Sequence, residues 1–142
     1  MVHNEVAMAE LSANLQLTGE TVTVSYVADP SLGYGRFRLE NSGGAAVNAA
    51  VKEVWLEMDG QRQPLSGTTV FDRGIEQMVD PHGFDIDAGA TLEFLVGFPR
   101  RAYAPRFGES TYVGLALSVD GEALQARSEI RFVRRIPKRG GR

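Results

Sequence analysis

The chain has 142 residues, with 15 Lys and Arg, 18 Asp and Glu and a formal net charge of −3. Hydrophobic residues make up 43% and cysteine is absent, which fits one domain with a real core and excludes disulfides, Cys-based zinc or iron–sulfur sites and thiol nucleophiles. A chain of this size can bury roughly 68% of its unfolded surface, so a staple-dependent mini-protein, a collagen-like fibre and an intrinsically disordered chain are excluded as well.

Period two dominates the pattern. Leu11, Ala13, Leu15 and Leu17 alternate with Ser12, Asn14 and Gln16, and Val22, Val24 and Tyr26 alternate with Thr21, Thr23 and Ser25. Both read as half-buried strands, and Thr18-Gly19-Glu20 between them predicts a short hairpin connection. Asp29-Pro30-Ser31 and Gly33-Tyr34-Gly35 punctuate the chain next. Phe37 and Leu39, alternating with Arg36, Arg38 and Glu40, predict a short third strand, and Asn41-Ser42-Gly43-Gly44 a turn. Residues 47–58 admit two readings. Val47, Val51, Val54, Trp55 and Met58 fall at helical spacing, yet Val54, Leu56 and Met58 alternate with charged residues if Trp55 points to the other face. We read a strand, with a helical start as the alternative. Asp59-Gly60 then signals a type I′ hairpin, with 62–65 as its β partner. Residues 68–71 form another short β run, and 72–89, carrying Pro81, Gly83 and Gly89, read as irregular. A strand over 90–98 places Leu92, Phe94 and Val96 on one face. A loop over 99–108 follows, then a strand over 111–119, a second hairpin turn at Asp120-Gly121 and its partner over 122–133. Beyond Pro137 no apolar residue remains, and the tail reads as disordered.

About eight short strands with turn signals at this spacing predict an all-β fold, an immunoglobulin-like antiparallel β-sandwich of about seven to nine strands. The expected layout is a flexible start over 1–8, one sandwich over 9–135 and a basic tail over 136–142. Trp55 is expected between the sheets, where such sandwiches commonly pack a tryptophan.

The stretch Gly35-Arg36-Phe37-Arg38-Leu39-Glu40-Asn41-Ser42-Gly43 resembles the strand and Asn-x-Gly opening of bacterial and archaeal immunoglobulin-like domains of the CARDB or adhesion-module type. Asp59-Gly60, the segment Asp87-Ala88-Gly89-Ala90-Thr91-Leu92-Glu93-Phe94 and Val119-Asp120-Gly121 continue the likeness over residues 35–121. The long 72–89 loop, the N-terminal hairpin and the basic tail depart from it. The resemblance implies an immunoglobulin-like sandwich with an adhesive or partner-binding role and no catalytic residues.

Charge is distributed unevenly. All 18 acidic residues lie at or before Glu129, whereas Arg131, Arg134, Arg135, Lys138, Arg139 and Arg142 crowd the last twelve positions. Residues 1–130 therefore carry −9 and the tail +6. Arg134, Arg135, Lys138 and Arg139 are candidates for contact with an anionic partner, nucleic acid included. The acidic body opposes a phosphate backbone, and the plainer alternative is a tail folded back on its own body.

Residues 98–107 hold three arginines, three aromatics and two prolines. Arg100, Arg101, Tyr103 and Arg106 are of the types enriched at binding hot spots, and the prolines reduce the entropy lost on ordering. With Tyr34, set between two glycines, they are the candidate contacts for a protein partner. The plainer alternative anchors Phe98 and Phe107 in the core and leaves the arginines solvated. The acidic stretch Asp72, Glu76, Asp80, His82, Asp85 and Asp87 fails the EF-hand pattern, because Gly89 and Val96 stand where ligands five and twelve are needed counting from Asp85. Another kind of calcium loop stays open.

Catalysis has little to build on. His82 is the one histidine away from the N-terminus, no serine sits in a Gly-x-Ser-x-Gly elbow, there is no P-loop, and Gly33-Tyr34-Gly35 lacks the third glycine of a dinucleotide fingerprint. No enzyme activity and no cofactor are expected. The longest apolar runs, 94–98 and 113–117, fall far short of the ~20 residues of a spanning helix. The first 17 residues lack a basic n-region, which reads as a cytoplasmic or a trimmed exported domain. The leading expectation is a non-enzymatic module that binds a protein partner through loops at one end of the sandwich. Its alternatives are an assembly component that self-associates through an edge strand or the tail, and an enzyme or enzyme inhibitor, which requires a pocket lined by carboxylates or His82.

Overall fold

The computed structural model describes residues 14–25, 32–58, 60–99 and 111–133. Among these there are eleven strands: β1 (Leu15–Glu20), β2 (Val22–Ser25), β3 (Leu32–Asn41), β4 (Val47–Met58), β5 (Gln61–Pro64), β6 (Thr68–Asp72), β7 (Gln77–Val79), β8 (Phe84–Ile86), β9 (Thr91–Pro99), β10 (Thr111–Val119) and β11 (Glu122–Val133). One sheet has the order β1-β3-β9-β6-β7 and the other β2-β11-β10-β4-β5, with β8 also on β4. Among the described residues no helix is long and apolar enough to cross a membrane.

The alternation read from the sequence builds the core. Phe37, Leu39, Val70, Leu92, Phe94, Val96 and Phe98 of the five-stranded sheet face Val54, Leu56, Phe84, Ile86, Val113, Leu115, Leu117, Val119 and Ile130 of the six-stranded one. Phe84 meets Phe94 edge-on across the interface, with ring centroids 5.9 Å apart. This is an immunoglobulin-like β-sandwich with more strands than the seven to nine expected. The surplus consists largely of strands three or four residues long at the sheet margins.

Three local expectations are corrected, and the strand reading of residues 47–58 is borne out. Residues 18–20 do not turn. They continue β1, which pairs antiparallel with β3 from Leu15↔Asn41 to Glu20↔Arg36. After Thr21 the chain enters the other sheet, where β2 runs parallel to β11. Gly19 permits this crossing, since a Cβ there would stand 1.8 Å from the Arg127 carbonyl oxygen. Buried Ser128 fastens it: its hydroxyl donates to the Glu20 carbonyl and accepts from the Arg36 amide at 3.1 Å.

Gly33-Tyr34-Gly35 lies inside β3 rather than punctuating the chain. The two glycines make room for the Phe98 ring and the Val113 side chain, which a Cβ would meet at 2.6 and 2.5 Å.

Residues 47–58 are strand throughout. The register on β10 shifts so that Leu117 pairs with Val51 and Ala116 with Glu53, leaving Lys52 as the extra residue of a β-bulge. Inward positions therefore run Val47, Ala49, Val51 before the bulge and Val54, Leu56, Met58 after it. That change of phase produces the apparent helical spacing, and it turns Trp55 away from the core.

Residues 72–89, read as irregular, contain β7 and β8. β7 closes a hairpin with β6 (Val70↔Val79, Phe71↔Met78, Asp72↔Gln77), and β8 caps β4 (Val47↔Ile86).

Candidate functional site

Register places side chains in rows on the outer face of the five-stranded sheet. Glu20, Arg36, Leu95 and Thr69 are successive cross-strand partners on β1, β3, β9 and β6. Beside them run Thr18, Arg38, Glu93, Phe71 and Met78, ending on β7. A third row brings Tyr34 opposite Gly97. A groove of about 300 Å³ lies over the first two rows, with Phe71, Leu95 and Met78 supplying apolar wall and Glu20, Arg36 and Glu93 supplying charge.

Two large apolar side chains are exposed on this face and a third in a turn at its margin. Among the described residues these are Met78 (65%), Ile75 (56%) and Tyr34 (45%). Met78 and Tyr34 stand on the face, and Ile75 sits in the turn between β6 and β7. That turn is held firmly. The buried Asp72 carboxylate accepts the Gly74 amide at 2.9 Å, the Arg73 guanidinium donates to Glu93 on β9 at 3.0 Å, and Glu76 adopts φ 55°. A rigid hairpin presenting apolar side chains loses little entropy on docking.

Of the residues singled out from sequence, Tyr34 stands on this face. Arg100, Arg101, Tyr103 and Arg106, and the tail residues Arg134, Arg135, Lys138 and Arg139, lie outside the described residues. Pro99, at the end of β9, pairs with Leu32, two positions from Tyr34. Sequence reasoning missed Ile75, Met78, Phe71 and Leu95. The signal was present in Thr69 and Phe71 alternating with Val70, followed after a four-residue turn by Gln77-Met78-Val79.

The acidic stretch is dispersed. Asp72 caps its own turn, and Asp85 accepts from the Asn48 amide at 3.0 Å. Asp80 accepts both the backbone amide of His82 at 3.0 Å and its ring Nδ1–H at 3.1 Å. The backbone hydrogen bond, more than the ring, holds the Asp80 carboxyl below its ordinary range. Among the described residues no three His, Cys, Asp or Glu side chains gather to hold a metal ion.

Trp55 corrects a further expectation. It is buried, with 2% exposed, but on the outer face of the six-stranded sheet rather than between the sheets. Its ring occupies the place of the side chain that Gly114 lacks, where a Cβ would stand 2.0 Å from Cε2.

No protein-family model matches the sequence, and no curated protein resembles it significantly. Solved structures do match in shape. A family 123 glycoside hydrolase from Clostridium perfringens superposes with a TM-score of 0.54 at 5% identity, over 84% of this chain and 27% of the hydrolase. The chain thus spans about a quarter of that enzyme's length. The Escherichia coli chaperone DraB gives 0.47 at 9% identity over 84% of this chain and 55% of the chaperone. The PapD-like domain 7 of human CEP192 gives 0.43 at 9% identity over 84% and 83% of the two chains. At these identities the likeness is one of fold: an immunoglobulin-like β-sandwich.

Proposed function

We propose that this domain is a non-enzymatic protein-interaction module whose binding surface is the outer face of the five-stranded sheet. The observation that carries the reading is the exposure of Tyr34 and Met78 on one sheet face, with Met78 lining an amphipathic groove beside a braced turn that exposes Ile75. Exposed apolar side chains clustered with a polar surround mark interaction sites more often than solvent surface. Arg100, Arg101, Tyr103 and Arg106, the loop contacts expected from sequence, are assigned to the same partner. The resemblance to CARDB and adhesion modules supports the same class of role.

The test is affinity capture from the native host with the wild type and two double variants, Tyr34→Ala/Met78→Ser and Arg101→Ala/Tyr103→Ala. Both should lose the captured partner while melting within a few degrees of wild type. Unchanged capture by Tyr34→Ala/Met78→Ser would remove the face from the account. A second reading, self-assembly, is favoured by the exposed Met78 on the short edge strand β7. Light scattering separates the two, because the interaction module elutes as a monomer and the assembly component as an oligomer that Met78→Ser dissociates.

A further inference from the structure

The outer face of the six-stranded sheet carries a separate constellation. The Arg62 guanidinium on β5 lies over the Trp55 ring, 4.1 Å from its centroid, and that of Arg127 on β11 lies over Tyr112 at 4.0 Å. Cation–π stacking of this kind fixes a guanidinium plane while leaving its N–H edge free to donate. Glu57 lies in the same groove. One of its oxygens accepts from Arg127 Nη1 and the other from Trp55 Nε1, each at 3.2 Å. Its two oxygens are thus engaged, and among the described residues the Arg62 guanidinium has neither an ion-pair nor a hydrogen-bond partner. The groove has a volume of about 330 Å³ and is lined by Trp55, Glu57, Arg62, Gln125, Ala126 and Arg127.

We propose that this groove binds a carboxylate side chain of an extended acidic peptide. Arg62 supplies the bidentate fork, and Gln125 and Arg127 supply the opposite wall. Charge selects this ligand. Two guanidinium groups against one carboxylate leave a single positive charge, which one monoanion neutralises and a dianionic phosphate exceeds. A polyanion such as heparin or nucleic acid also meets a body that carries −9 over residues 1–130. Arg–carboxylate pairing is planar and bidentate, so Lys in place of Arg62 keeps the charge and loses the geometry.

Trp55 is the one tryptophan in the chain, so its emission reports directly on the groove. The experiment titrates the full chain with the capped peptide Gly-Gly-Glu-Gly-Gly, with its Gln-for-Glu counterpart, with inorganic phosphate and with heparin. The Glu peptide should shift Trp55 emission saturably. The Gln peptide should bind about tenfold more weakly or worse, as expected for losing a charge-assisted pair. Arg62→Gln should lose the response and Arg62→Lys retain part of it, both melting as the wild type does because the strand is exposed throughout. Tyr34→Ala/Met78→Ser should titrate like the wild type, which keeps this site separate from the opposite face. Equal binding of the two peptides, undiminished binding by Arg62→Gln, or tighter binding of phosphate or heparin than of the Glu peptide would each overturn the proposal.

Discussion

Asn41 shows how much one side chain holds in this fold. It is buried at the end of β3, and its Nδ2 lies 3.0 Å from the Ala45 and Ile86 carbonyls and 3.2 Å from that of Asp87. Its Oδ1 accepts the Gly43 amide at 2.9 Å. The turn after β3 and the turn after β8 are thereby tied together, one from each sheet. Asn41→Ala leaves these groups without partners and should cost about 2 kcal/mol. Asn41→Asp is nearly isosteric but points an oxygen at carbonyl oxygens, and should cost more than Ala. Urea unfolding at pH 7 with unchanged m-value is the check. Asp80 gives a pH signature of opposite location. Its carboxyl is held low in the folded state by the His82 amide. The stability it adds is therefore present above the ordinary carboxylate range and lost as pH falls through the folded value. The melting-temperature difference between wild type and Asp80→Ala should be small and constant from pH 7 to 5, and should shrink as pH falls below the ordinary carboxylate range.

At the scale of elements, the bulge at Lys52 sets the phase of β4. Deleting Lys52 removes the extra residue and makes the register continuous with Val51, Val54, Leu56 and Met58 still facing the core, whereas deleting Lys52 and Glu53 together would carry Val54, Leu56 and Met58 to the outside and Trp55 toward the core. The double deletion should prevent a cooperative fold, seen as loss of the thermal transition, whereas deleting Lys52 alone should keep a cooperative transition and Lys52→Ala should melt like the wild type. Gly114→Val tests the other side of the arrangement. The new side chain needs the space of the Trp55 ring, so Trp55 emission should move to the red and stability should fall by about 1–3 kcal/mol. These features also mark what was legible beforehand. The alternation of Leu92, Phe94 and Val96 and the turns at Asp59-Gly60 and Asp120-Gly121 are local signals, and they correctly gave strands and hairpins. The destination of a strand is not local. β1 and β2 read as a hairpin because nothing in Thr18-Gly19-Glu20 records the close approach of Arg127 that Gly19 serves. Tyr34 was legible as an exposed side chain because of its glycine neighbours. Met78 and Ile75 were not, since a three-residue strand inside a Pro- and Gly-bearing stretch carries too few alternations to stand out.

The whole molecule presents two different outer faces around one core. The five-stranded side is amphipathic, with exposed Tyr34, Ile75 and Met78, and the six-stranded side stacks two arginines on aromatic rings. Such polarity suits a module that meets a partner on one side and leaves the other for a second contact. The most direct measurement of the central claim is site-specific photo-crosslinking in the native host. A photoreactive phenylalanine analogue replaces Met78, Tyr34 or, as a control, the exposed Glu122 at the start of β11. The account predicts one shared adduct from the Met78 and Tyr34 positions and none from Glu122. The absence of adducts at Met78 and Tyr34, or the same adduct from all three positions, would contradict it.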